Sequence, residues 1–243
     1  MRVRLLFLDR DGTLNRSLDH RPPNTPEEVS LYPDVGAVLS HYVEEEWQLV
    51  IVTNQGGVAS GYIAEEQAQA IQQRVIELLP VPIAAAYLCP HLPGSLVPCY
   101  DLDCPNRKPR PGFILQALRR FEAQPEDCLF VGDSITDREA ARAAHVPFQW
   151  ADQFFERPID RGMQTEEGAW FGVQQVPAGE GQLKLVALER GKQFGSLTVS
   201  MPEDNRATEG DTVDFSVCTA PGRVGVSLTL MEIALEWVRA RGS

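Results

Sequence analysis

What this 243-residue chain lacks narrows its class before any motif is read. No apolar run is long enough to span a bilayer. The longest, Leu49 to Val52 and Ile83 to Leu88, fall far short of the roughly 20 residues a membrane helix needs. A leader is not expected either, since Arg2 and Arg4 pass directly into Leu5-Leu6-Phe7-Leu8 and Asp9, without a signal peptide's apolar length or cleavage site. A cytoplasmic location away from membranes is the expectation. Positive charge is scarce: 22 Lys and Arg against 34 Asp and Glu leave a net charge of -12, a field that repels nucleic acid. An anionic substrate therefore needs local positive charge, from a bound divalent metal or a few placed cations. Repeats and low-complexity tracts are absent. Cysteines number five, an odd count, and three of them crowd between Cys89 and Cys104 beside His91, which argues for a metal site and against a secreted disulfide framework.

What is present is an alternation. Val3 to Leu8, Leu49 to Thr53, Ile83 to Leu88, Cys128 to Val131 and Pro147 to Trp150 read as strands. Between them, helices are marked by Val35, Val38, Leu39, Tyr42 and Val43, by Ala68, Ile71, Val75 and Leu78, by Pro111 to Phe121, and by Arg138 to Ala144. The pattern predicts an α/β fold, a doubly wound, Rossmann-like parallel sheet covered on both faces, with ligands at the carboxyl ends of its strands. Polar residues able to do chemistry follow the strands as that requires: Asp9 to Asn15, Thr53-Asn54-Gln55, Cys89 to Lys108, and Gly132-Asp133-Ser134. These four segments are expected to converge.

After Ala151 the texture changes through a proline and charge-rich passage, Glu156 to Glu167. Alternation at Leu197, Val199 and Met201, at Val213, Phe215 and Val217, and at Val224, Val226 and Leu228 predicts antiparallel strands. Leu230, Ile233, Ala234, Trp237 and Val238 predict a closing helix. The expected domains are 1–155 and a smaller α+β domain at 165–243. Acidic groups at Glu203-Asp204-Asn205 and Glu209-Gly210-Asp211 read as solvated turns, so the second domain is expected to shape substrate, self-associate or bind a partner. Cys128 and Cys218 lie in apolar runs and read as core.

Asp9 and Asp11 stand two residues apart where a buried strand ends, with Gly12 free to turn sharply. That spacing suits divided labour: Asp9 as an ionised nucleophile on phosphorus, Asp11 as the acid that protonates the leaving oxygen and then activates water. A polar turn capping a strand is the alternative. Cys89, His91, Cys99 and Cys104 supply four soft or borderline ligands, enough for a closed structural zinc site that would staple the loop before Arg107 and Lys108.

The run Asp9-Arg10-Asp11-Gly12-Thr13 resembles the first motif of the haloacid dehalogenase phosphatases. Val52-Thr53-Asn54-Gln55 resembles the second, Arg107-Lys108-Pro109 the third, and Val131-Gly132-Asp133-Ser134-Ile135-Thr136-Asp137 the fourth. The resemblance implies that Thr53 holds a phosphate oxygen and that Lys108 neutralises the transferring group. It further implies magnesium on Asp9, Asp11 and Asp133, support from Asp137, and substrate contacts from Asn54, Arg107 and Asn15. The zinc loop and the stretch Asn54 to Tyr62 are similar to the branch of heptose bisphosphate and histidinol-phosphate phosphatases, over the first 150 residues or so. The chain departs from that branch at Ser60, where the heptose enzymes commonly carry arginine, and in the four residues separating Cys99 from Cys104. The expected substrate is a small phosphorylated metabolite, a sugar phosphate such as heptose 1,7-bisphosphate. Histidinol phosphate, a polynucleotide 3'-phosphate, and a non-catalytic zinc-binding scaffold are the alternatives.

Overall fold

Four consecutive apolar residues, Leu5 to Leu8, cannot all face one core, because alternate side chains of a strand point to opposite faces. Covering both faces satisfies all four. The computed structural model describes residues 2–16, 21–165, 169–179, 182–189, 192–200, 214–219 and 225–242, and divides into two units, Met1–Arg157 and Pro158–Ser243.

In chain order the first unit comprises β1 (Arg4–Leu8), α1 (Val35–Glu44), β2 (Trp47–Asn54), α2 (Gly56–Ala59), α3 (Glu65–Leu78) and β3 (Ile83–Cys89). It continues with α4 (Gly112–Phe121), β4 (Leu129–Gly132), α5 (Ile135–Ala143), β5 (Phe148–Trp150) and α6 (Ala151–Phe154). The five strands form one parallel sheet of order β3-β2-β1-β4-β5. Leu5 and Phe7 of β1 join Val50, Val52 and Phe130 in a core closed by Ile114 and Ala117 of α4 and Ala140 and Ala141 of α5. Leu6 and Leu8 join Leu49, Ile51 and Val131 in the opposite core, closed by Val35 and Leu39 of α1 and Val75 of α3. All four β1 leucine and phenylalanine side chains are fully buried, each contributing roughly 1.5 to 3 kcal/mol.

Two helices, α3 and α5, begin earlier than their sequence pattern, because their first turns carry polar residues. α3 opens with Glu65 and Glu66, acids that complement the positive helix N-terminus. α5 opens at Ser134, whose side chain accepts from Thr136 N while Asp137 closes a capping box. At the far end of the unit, Arg157 donates to both Asp34 oxygens at 2.6 and 2.7 Å and to Thr13 O at 2.8 Å. Its guanidinium also lies over the rings of Tyr32 and Phe155. This ties the last residue of the unit to the turn that carries Gly12.

The second unit holds β6 (Asp160–Gln164), β7 (Trp170–Val176), β8 (Gln182–Glu189), β9 (Lys192–Ser200), β10 (Asp214–Thr219) and α7 (Val226–Gly242). The strands form an antiparallel meander of order β10-β9-β8-β7-β6, and α7 packs on β8, β9 and β10. Leu183 faces Val199 and Leu185 faces Leu197 in register, all four buried. Strand β6 lies inside the charge-rich passage Glu156 to Glu167, where Arg161 is buried and paired with Glu236 of α7 at 2.7 Å.

Two sequence expectations fail here. Val226 and Leu228 are not in a strand but in the first turns of α7. Val226, Leu230, Ile233 and Ala234 are buried at helical spacing, while Leu228 is 67% exposed, so the apparent alternation was incidental. Cys218 is exposed on β10, an edge strand, whereas Cys128 is buried as expected. Met201, Val213, Val224 and the acidic turns 203–205 and 209–211 lie outside the described residues. Among the described residues no helix is long and apolar enough to cross a membrane.

Candidate active site

The sheet order places the site. From β1 the chain moves to β2 and β3 on one side, then crosses to β4 on the other, so β1 and β4 flank the topological switch point where a crevice opens beyond the strand ends. Asp9 follows β1 and Asp133 follows β4. Gly12, at φ +85°, turns the chain between them, and a Cβ there would fall 2.1 Å from Asp133 Oδ2. The turn therefore needs glycine twice over, for its conformation and for the approach of Asp133.

Carboxylate oxygens of Asp9, Asp133 and Asp137 lie within 4.8 Å of one another. Lys108 Nζ reaches Asp9 Oδ1 at 2.5 Å, Asp137 Oδ1 at 2.6 Å and the carbonyl of Val52 at 2.8 Å, all within a buried pocket. Burial opposes the charge on Lys108, yet the carboxylates of Asp137 and Asp9 outweigh it and hold the amine firmly protonated. Burial pushes the Asp9 carboxyl up to about 7, against the pull of Lys108 and with further repulsion from Asp137 and Asp11. Lys108 pairs with two of these three carboxyl groups, Asp9 and Asp137, and the group as a whole is rich in carboxylate oxygens. A hard divalent cation that takes oxygen ligands fits the chemistry of this donor set.

Asp11 is not in that group. Its carboxylate accepts from Arg10 Nε at 3.1 Å, Arg10 Nη2 at 2.7 Å, Gln55 Nε2 at 2.8 Å and Asn15 Nδ2 at 3.3 Å. Asn15 also donates to Arg16 O and accepts from Ser30 N, which makes it a brace of the turn. Gln55 Nε2 bridges to Thr53 Oγ1 at 2.8 Å as well, so Thr53 and Asp11 share a donor. Asn54 exchanges two hydrogen bonds with the backbone of Lys108. The sequence places Arg10 and Gln55 within the motifs but assigns them no role, and it does not single out Gln72. Arg10 had one signal: it continues the parity of Leu6 and Leu8, where an apolar side chain belongs.

The cysteine loop borders this pocket. Ligand atoms of Cys89, His91 and Cys104 lie within 4.8 Å of one another, while Cys99 is exposed and is not among them. Two thiols and an imidazole suit zinc. Burial pushes the Cys89 thiol up to about 11, so a metal there would displace its proton. The loop reaches the pocket through its backbone: Gln55 N donates to Cys89 O at 2.7 Å, Arg107 N to Cys104 O at 3.1 Å, and Arg107 Nη1 to His91 O at 2.9 Å.

Residues 23–145 match the haloacid dehalogenase-like hydrolase family. The chain belongs to the haloacid dehalogenase-like hydrolases. It is similar to D-glycero-beta-D-manno-heptose-1,7-bisphosphate 7-phosphatase of Haemophilus ducreyi, with 35% identity over 150 residues covering 60% of this chain and 81% of that one. Similarity to D-glycero-alpha-D-manno-heptose-1,7-bisphosphate 7-phosphatase of Photorhabdus laumondii is 32% over 149 residues, covering 60% and 80%. Among solved structures, D,D-heptose 1,7-bisphosphate phosphatase from B. bronchiseptica, complexed with magnesium and phosphate, is 29% identical with a TM-score of 0.52, covering 60% and 79%. A Mesorhizobium loti protein described as a HAD-like phosphatase is 33% identical with a TM-score of 0.56, covering 60% and 70%. As a haloacid dehalogenase-like hydrolase this chain is an enzyme, a phosphatase. Its family match, which begins at residue 23, includes Thr53, Lys108, Asp133 and Asp137, while Asp9 and Asp11 lie ahead of it.

Proposed function

We propose that the chain is a magnesium-dependent phosphomonoester hydrolase working through an aspartyl-phosphate on Asp9, with a sugar bisphosphate such as heptose 1,7-bisphosphate as substrate. The observation that carries the reading is the buried Asp9 carboxylate, held at 2.5 Å by Lys108 beside Asp133 and Asp137. Asp9 attacks phosphorus and the ester P–O bond breaks, with the leaving oxygen taking a proton from Asp11. Water then attacks the same phosphorus, its proton passing to Asp11, and the bond to Asp9 breaks. Lys108 stays charged throughout and offsets the transferring phosphoryl group, while Thr53 presents a hydroxyl to one of its oxygens. Asp9 and Asp133 are the ligands proposed for magnesium, which when bound would supply positive charge to the site. Asp137 orients Lys108.

The relatives' names and the zinc-loop resemblance support the substrate class; the net charge of -12 disfavours a polynucleotide. Cys89, His91 and Cys104 are proposed to hold structural zinc that fixes Arg107 and Lys108 at the mouth. The test is a screen of phosphorylated metabolites with purified protein and magnesium, including heptose 1,7-bisphosphate, histidinol phosphate and a 3'-phosphorylated oligonucleotide. Preference for the heptose bisphosphate, and loss of turnover in Asp9→Asn by at least about 10³-fold, are expected. Preference for the oligonucleotide, or undiminished turnover in Asp9→Asn, would sink the reading.

A further inference from the structure

The parity of β1 sets Arg10 apart. Leu6 and Leu8 face the core closed by α1 and α3, and the next side chain of that parity is Arg10, fully buried. An apolar residue would fill this place without the desolvation that a guanidinium incurs. The guanidinium is directed at the second aspartate through its Nε and Nη2 edge, while Nη1 reaches Gln72 Oε1 on α3 at 3.4 Å. A two-point fork fixes the plane of a carboxylate, where a single-point contact leaves it free to swing. Gln55 and Asn15 add one donor to each oxygen, but only Arg10 grips both.

We propose that Arg10 is a positioning residue for the reaction, holding the Asp11 carboxylate in the orientation from which it passes a proton to the leaving oxygen. The proposal rests on Asp11 being the acid of the first step. In that step Asp9 Oδ bonds to phosphorus, the ester P–O bond breaks, and the departing oxygen takes the Asp11 proton. A primary alcohol is a poor leaving group and requires this proton. 4-Nitrophenolate leaves without it. A residue that acts through Asp11 therefore affects the two substrates unequally, whereas one that merely supports the fold affects both alike.

The experiment compares kcat/KM, which reads transfer to Asp9, for glycerol 3-phosphate and 4-nitrophenyl phosphate in the full-length protein with magnesium. Arg10→Met is expected to lower the alkyl value about 10²-fold through kcat, with KM within about twofold, and the aryl value less than about threefold. Arg10→Lys keeps the buried charge and loses the fork. It is expected to show the same inequality, with an alkyl loss of about tenfold, and it decides the matter if Arg10→Met fails to melt cooperatively. Equal losses on the two substrates overturn the proposal, as does full activity in Arg10→Lys. Asp11→Asn separates the two levels of the argument. If it lacks the inequality, the reading of Asp11 as acid fails and the Arg10 proposal with it. If it shows the inequality and the Arg10 variants do not, the Arg10 proposal alone fails.

Discussion

Asn54 and Lys108 are 54 residues apart and exchange two hydrogen bonds, Asn54 Nδ2 donating to Lys108 O at 2.9 Å and Lys108 N donating to Asn54 Oδ1 at 3.0 Å. The pair behaves like one rung of a strand ladder built from a side chain. It fixes the main chain from which Nζ reaches Asp9. Asn54→Ala leaves both backbone groups without their partner, at a cost of about 1 to 3 kcal/mol of stability. Loosening Lys108 should also lower kcat about 10- to 100-fold, as misplacement of a charge-neutralising group does. Urea unfolding and steady-state kinetics on one preparation check the two effects together.

Gly12→Ala concentrates its damage on Asp133. The added methyl would occupy the position of a carboxylate oxygen, and the left-handed φ adds strain of order 1 kcal/mol for any residue with a Cβ. The core beneath is untouched, so circular dichroism should remain native. Half-saturation by magnesium should rise at least about tenfold, because Asp133 must move away from Asp9. An unchanged magnesium requirement in this variant would show that Asp133 is not a ligand.

Buried parallel strands announce themselves as continuous apolar runs, which is why β1 and β2 stand out in the sequence; β3, at the sheet edge, is as apolar in sequence although only Ala85 and Cys89 of it are buried. The residues at the carboxyl ends of these strands, Thr53 and Cys89, and Asp9 just beyond β1, then follow from topology alone. Residues that act by supporting others leave no such mark. Gln55 and Gln72 are common surface types, and nothing in their spacing shows that one bridges Thr53 to Asp11 while the other meets Arg10. The start of α7 was misread for a related reason: Val226 and Leu228 fit a period of two over too few residues to separate it from a helix. Cys99 illustrates a third limit, since spacing along an irregular loop does not tell which thiols face inward.

Protons and magnesium should compete at Asp9. In the metal-free fold its carboxyl sits at about 7, above the 3.8 of an unfolded chain, so between those values the native state holds a proton that the unfolded state has released. The Asp9 contribution to stability is therefore fully present below about pH 4 and is lost as the pH rises through about 7. Magnesium binding requires the ionised form and expels that proton, so affinity should weaken about fivefold between pH 7 and pH 6 and level off above pH 8. Calorimetric titration at these pH values, in two buffers of different ionisation enthalpy, reads both the affinity and the proton released. In Asp9→Asn the pH dependence should vanish.

The cysteine loop offers the sharpest division between neighbouring residues of one type. Cys89 and Cys104 are buried and converge with His91, whereas Cys99 is exposed outside their group. Zinc held by the inner three needs Cys89 and Cys104 as thiolates. Cys89→Ser and Cys104→Ser should each remove stoichiometric zinc by elemental analysis, while Cys99→Ser should retain it. Loss of zinc should reach the catalytic pocket, because the backbone carbonyls of Cys89, His91 and Cys104 receive Gln55 N, Arg107 Nη1 and Arg107 N. Turnover should therefore fall in the two inner variants and hold in the outer one, even though none of the three thiols touches Asp9. If Cys99→Ser loses zinc as readily as the others, the fourth ligand is Cys99 and the loop must close around the ion to bring it in.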